Sequence, residues 1–206
     1  NFSSLETLLV NNNELTQVDF SQNTSLKELK CYNNQLTNLD ISQNTLLENL
    51  GCAGNQLTNL DISQNILLKE LGCGYNQLTN LDVSQNSLLE DLRCYDNKLT
   101  ELNVFVNSNL ISLDCHNQNN GLNGLSNIIL PQLTTSLKYL DVELNSLSTL
   151  DVSGYINLVR LKCYNNQLTE IDVSQNTKLE NFQCHANQIT QLDVSQNLEL
   201  RTFYCG

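Results

Sequence analysis

Two short stretches hold most of the residues that could do chemistry. In "LDCH" (Leu113–His116) an aspartate and a histidine stand two apart, and in "LDVE" (Leu140–Glu143) so do an aspartate and a glutamate. Residues two apart on an extended chain share a face. If the two stretches lie on neighbouring strands, Asp114, His116, Asp141 and Glu143 converge. Such a group could hold a divalent cation, calcium included, or receive a basic partner. The same residues support a plainer arrangement. Arg93 and Lys162 would flank the two aspartates in a charge ladder, Arg93–Asp114–Asp141–Lys162, worth roughly a few tenths of a kcal/mol per pair. An enzyme built on these four would act most naturally on polysaccharide. Against it, the chain has no nucleophile motif or phosphate loop, and a flat sheet lacks the enclosed pocket that tunes acids and bases. The residues therefore predict no catalytic site, no resident cofactor and no metal beyond that weak candidate.

What must position these side chains is visible in the cysteines. Cys31, Cys52, Cys73, Cys94 and Cys115 are each 21 residues apart, as are Cys163, Cys184 and Cys205. A constant step makes each cysteine the same position in successive coils, so they form a column. Stacked strands would hold their Cβ atoms about 4.8 Å apart, beyond the roughly 3.5–4.5 Å that a disulfide needs. The expectation is a ladder of buried free thiols filling the inner layer.

Aligned on the cysteines, repeats begin at Leu5, Leu26, Leu47, Leu68, Leu89, Leu110, Leu137, Leu158, Leu179 and Leu200, with one irregular 27-residue repeat over 110–136. The shared pattern is L-x-x-L-x-C-x-x-N-x-L-T-x-L-D-V-S-x-N. A period of this length predicts a solenoid of about ten coils in a single domain, 1–206. In "ELKCY", Leu29 and Cys31 alternate inward while Glu28, Lys30 and Tyr32 face out. Asn13, Asn34, Asn55, Asn76, Asn97, Asn145, Asn166 and Asn187 form a column expected to satisfy turn backbone. The second half of each repeat reads as a short extended segment on the convex side. There Asp19, Asp40, Asp61, Asp82, Asp151, Asp172 and Asp193 would accept N–H bonds within their own turns.

Charge narrows the partners. With 22 acidic residues against 10 basic ones the net charge is −12. Nucleic acid and anionic membrane surfaces both require a basic stripe, which is missing. No apolar run approaches the length of a spanning helix.

The phrase L-x-x-L-x-C-x-x-N-x-L resembles the leucine-rich repeat signature over nearly the whole chain. With "LDVSQN" in the second half, it looks like the repeats of secreted or surface proteins from Bacteroidetes-type bacteria. It departs from internalins, whose repeats are usually one residue longer. The resemblance implies a parallel sheet on the concave face and a binding scaffold displayed outside a bacterial cell, as a piece of a longer chain. Function should then lie where repeats differ, on the outward positions of the concave sheet. Tyr32, Tyr95, Tyr139 and Tyr164 suit interface anchoring, beside Asp114, His116, Asp141 and Glu143. The expected ligand is a protein. Carbohydrate is the alternative, and a spacer role with self-association through uncapped ends is a third reading.

Overall fold

A computed structural model of the chain describes residues 3–118, 124–132 and 136–206. In chain order its strands are β1 (Thr7–Leu9), β2 (Glu28–Lys30), β3 (Asn49–Gly51), β4 (Glu70–Gly72), β5 (Asp91–Arg93), β6 (Glu101–Asn103), β7 (Ser112–Asp114), β8 (Asn127–Ile129), β9 (Tyr139–Asp141), β10 (Arg160–Lys162), β11 (Asn181–Gln183) and β12 (Thr202–Tyr204). All but β6 and β8 join one parallel sheet of ten strands, stacked in sequence order. Each strand is only three residues long. That is what 21 residues allow when one coil must turn twice and return to stack on its predecessor.

The register explains the repeat. Leu29, Leu50, Leu71 and Leu92 pair across adjacent strands, so the inward leucine of every coil lies over the last. Leu26, Leu36 and Ile41 of one coil, and their equivalents in the inner coils, are fully or almost fully buried, forming one continuous core against which the partly buried Leu5, Leu15, Ile189 and Leu200 of the end coils pack. Seven of the eight cysteines are buried free thiols and Cys205 is exposed; Val142 fills the missing rung. Burial pushes the thiols up, Cys31 to about 12, and Cys52, Cys73 and Cys94 are likewise held well above the ordinary thiol value.

Asparagines tie the coils together. Asn76 Nδ2 donates to the carbonyls of Cys52 and Cys73 at 3.1 Å, while its Oδ1 accepts Leu57 N–H at 3.0 Å. Every other column member except Asn13, in the first coil, repeats this bridging, and Gln118, which the sequence did not single out, takes the position in the irregular repeat. A second buried column, Asn44, Asn65, Asn86, Asn107, Asn176 and Asn197, donates to carbonyls on the far side of each coil. Where Tyr155 replaces an asparagine, its hydroxyl reaches Pro131 O at 2.7 Å. The convex aspartates do accept within their own turns, Asp61 Oδ1 from Ser63 N–H at 2.9 Å, and these bonds hold their carboxyls below the usual range. That makes a column of like charge tolerable.

The residue two places after each cysteine position has a left-handed backbone: Asn12, Asn33, Gly54, Tyr75, Asp96, Asn117, Leu144, Asn165 and Ala186. Asn, Asp and Gly suit it; Tyr, Leu and Ala do not. The irregular repeat leaves the main register intact, Leu113 pairing with Leu140. Its extra length falls in the second half, where β6 and β8 pair as a separate two-stranded sheet; residues 119–123 and 133–135 of it lie outside the described ones.

Candidate functional site

The outward positions of the ten strands make the concave face, and the register brings Asp114 beside Asp141 and Asp141 beside Lys162. His116 and Glu143 follow two residues on, each aligned with its strand's aspartate. His116 Nδ1 donates to Asp114 Oδ1 at 2.6 Å, and its Nε2 lies 3.6 Å from Asp96 Oδ2. Lys162 Nζ reaches Asp141 at 3.0 Å and Glu143 at 3.4 Å. Tyr164 donates its hydroxyl to Glu143 Oε1 at 2.5 Å.

These contacts bury groups that an open sheet would leave wet: Asp141 is 5% and Glu143 6% exposed. Lys162 and Tyr164 lie across them. Burial, then the neighbouring carboxylates of Asp114 and Glu143, push the Asp141 carboxyl up to about 6 despite Lys162. Burial works against the His116 imidazolium, but the bond to Asp114 and the charges of Asp114, Asp141 and Asp96 outweigh it, so His116 is more basic than usual. Burial likewise opposes charge on Lys162, and Asp141 with Glu143 more than restores it. Burial and the bond to Glu143 keep the Tyr164 hydroxyl protonated, raising its pKa.

Two aromatic stacks flank the carboxylates. Tyr95 lies parallel to His116 with centroids 4.8 Å apart, and Tyr164 to His185 at 4.4 Å. Arg160 stands over the Tyr139 ring at 5.4 Å. Tyr32 lies apart from this group, across the glycines of β3 and β4.

The expected charge ladder forms only in part. Asp141–Lys162 is made, but Arg93 folds back along its own strand to Asp91 at 2.5 Å instead of crossing to Asp114. Asp91 shares its strand and face, and His116 already occupies Asp114. The four-residue cation set also shrinks. Asp114, His116 and Asp141 each present a ligand atom within 4.8 Å of the others, whereas Glu143 is engaged by Tyr164 and Lys162. Lys162 already supplies a positive charge at Asp141. Asp96, which the sequence reading missed, completes the surroundings of His116; its signal was position alone, one coil before Asn117, whose amide donates to it.

Parallel three-residue strands stacked at a 21-residue period over buried leucines, closed by asparagine columns, define a leucine-rich repeat solenoid. No protein-family model and no curated protein matches the chain. Among solved structures, the functional domain of InlJ from Listeria monocytogenes, described as including a cysteine ladder, is 40% identical over 97% of this chain and 43% of that one, with a TM-score of 0.91. A leucine-rich repeat protein of Leptospira interrogans is 27% identical over 98% of this chain and 61% of that one, with a TM-score of 0.73. Internalin InlF from Listeria monocytogenes, 21% identical with a TM-score of 0.75 over this whole chain and 68% of that one, shares the fold. The chain thus spans less than two thirds of the first two. Repeat length does not set it apart from internalins as the sequence suggested, since the InlJ backbone superposes on it so well. No helix among the described residues is long and apolar enough to cross a membrane.

Proposed function

We propose that the chain is a non-enzymatic recognition module, secreted or displayed on a bacterial surface, that binds a protein partner through its concave face. The observation that carries this reading is the pair of ring stacks, Tyr95–His116 and Tyr164–His185, on either side of Asp114, Asp141 and Glu143. Stacking fixes large amphipathic side chains before any partner arrives, so little rotamer freedom is lost on binding. Aromatic anchors beside a polar rim are the usual energetic centre of an interface. The carboxylates already have partners in Lys162, His116 and Tyr164, which suits recognition better than proton transfer. Similarity to an internalin domain and to a Yersinia pestis effector, YopM, at 26% identity and a TM-score of 0.71, supports a bacterial binding protein.

The test is an array of purified extracellular and cell-surface proteins, with a glycan panel alongside. A protein hit should weaken at least tenfold in Tyr95→Ala and Tyr139→Ala and stay unchanged in the convex variant Gln64→Ala. Binding confined to glycans would replace the reading with its carbohydrate alternative. Turnover of any polysaccharide would sink the non-enzymatic part. Light scattering checks the remaining alternative, self-association, which predicts a dimer insensitive to both tyrosine changes.

A further inference from the structure

Two adjacent strands, β3 and β4, leave a gap in the concave face between β2 and β5. Outward positions that hold long side chains elsewhere are Gly51, Ala53, Gly72 and Gly74 here, leaving a depression of about 280 Å³. Tyr32 and Tyr95 stand at its two ends.

Its glycines differ in what requires them. Gly74 must be bare, because a Cβ there would lie 2.8 Å from the Tyr95 ring. Gly72 has no such neighbour: an added Cβ would approach only Leu50 O, at 4.0 Å. Gly51 would make ordinary contacts at 3.5–3.6 Å with Lys30 and Tyr32. Neither has the left-handed backbone that favours glycine. Glycine inside a strand costs stability, and where the fold does not demand it, it marks a place where something comes close. Two such glycines, paired directly across β3 and β4, form the floor.

The charges around that floor are unequal. Lys30 is drawn to Glu28 at 2.6 Å and Arg93 to Asp91 at 2.5 Å, so each cation at the rim is neutralised on its own strand. Glu70 sits between them; its charge reaches both Lys30 and Arg93, but among the described residues its carboxylate accepts a hydrogen bond only from Asn49 Nδ2, at 2.6 Å. Among the described residues it has no cation within salt-bridge distance. We propose that the Gly51–Gly72 depression receives a single projecting arginine or lysine side chain of the protein partner, with Glu70 as its counter-charge and Tyr32 and Tyr95 as walls. This rests on the protein-recognition reading above. A cation there would gain a direct ion pair with a carboxylate that makes none, and its stem would lie between aromatic side chains. The net charge of −12 draws a basic partner toward the chain.

The experiment is a ¹⁵N NMR titration with capped Gly-Ser peptides carrying one arginine, lysine, glutamate or leucine. The backbone amides of Gly51, Gly72 and Gly74 report directly. Arginine and lysine peptides should shift them saturably, and glutamate and leucine peptides should not. Glu70→Gln should weaken the response at least fivefold. Gly72→Val should abolish it while raising the melting temperature, since the added side chain enters open space on a strand. Equal shifts from the glutamate peptide, shifts mapping elsewhere, or an unchanged titration in a folded Gly72→Val would overturn the proposal. So would methyl glycosides moving these glycines while arginine peptides do not. The two readings fail separately: a partner that binds Gly72→Val normally removes the depression's role and keeps the module, whereas arginine binding with no partner on the array does the reverse.

Discussion

Asn76→Ala tests whether the inner asparagine column, and not leucine packing alone, holds the coils in register. Truncation removes the Oδ1 that accepts Leu57 N–H at 3.0 Å and the Nδ2 that donates to Cys52 O and Cys73 O at 3.1 Å. The carbonyls are not orphaned, because Asn55 also donates to Cys52 O and Asn97 to Cys73 O. Leu57 N–H is, in a fully buried residue. The orphaned donor costs about 1–3 kcal/mol and each of the two lost amide bonds about 1, so the sum is about 3–5 kcal/mol, or roughly 6–20 °C in melting temperature. Asn13 is the internal control: exposed, it donates only to Val10 O and Asn11 O, and its removal should cost about 1 kcal/mol or less. Asn76→Asp sharpens the test, since a carboxylate would face the carbonyls that now accept the amide. At neutral pH it should cost more than alanine, and the excess should shrink as acid protonates it. Urea unfolding by circular dichroism gives the totals, and hydrogen exchange at the Leu57 amide gives the local effect. If that amide stays protected in Asn76→Ala, and the midpoint moves no further than in Asn13→Ala, the column is not what aligns the coils.

Three further outcomes follow from the same geometry. Ala186 has φ 52 and Gly54 has φ 63, and a Cβ at Gly54 would clash with Asn33 Oδ1. Ala186→Gly should therefore stabilise by about 1 kcal/mol and Gly54→Ala destabilise by at least as much, read from paired urea midpoints. In the native protein Ellman's reagent should titrate Cys205 alone, the other thiols being buried and raised, and all eight cysteines of the chain once it is unfolded. Asp141 is held at about 6 when folded, against 3.8 as its ordinary value, so its ionisation weakens the folded state as pH rises from about 4 through 6. The raised His116 acts in the same direction, contributing stability below about 6.5 that is lost as pH passes its folded value. Melting scans from pH 4 to 8 should show Asp141→Asn gaining on the parent protein above pH 6 and losing that gain near pH 4.

What the sequence made legible is what the backbone repeats. Alternation in "ELKCY" placed Leu29 and Cys31 inward, and the constant step placed the thiols in a column too widely spaced to bond. The aspartate turns followed from the recurrence of Asp at one convex position, where its side chain can accept from its own turn. What stayed illegible is a choice between near-equal neighbours. Arg93 had Asp91 two residues back and Asp114 one strand over, and spacing cannot rank them; the imidazole of His116 at Asp114 decides. Nor does alternation report depth: Asp141 and Glu143 face outward as expected, yet Lys162 and Tyr164 close over them. The left-handed turn at Tyr75, Leu144 and Ala186 carries no residue signal, because the adjoining coils impose it.

The concave face varies along its length in two separate ways. Across β7 and β9 the irregular repeat could have opened the sheet, but the pairing of Leu113 with Leu140 is undisturbed. A partner bound there, as proposed, would meet evenly spaced strands, with only side-chain identity to distinguish them: the carboxylates, the imidazole and the ring stacks. At β3 and β4 the reverse holds. Side chains are missing there, so under the proposal shape would carry the distinction and Glu70 would supply the charge. A binding face divided this way would read charge pattern at one end and a projecting group at the other. Substitutions at the two ends should then weaken one partner additively, because β4, which carries Gly72, and β9, which carries Tyr139, are three steps apart in the sheet, roughly 14 Å, too far to share contacts. Tyr139→Ala combined with Gly72→Val measures this: losses that sum mean one partner spans both ends, and a double variant no worse than the weaker single means it does not.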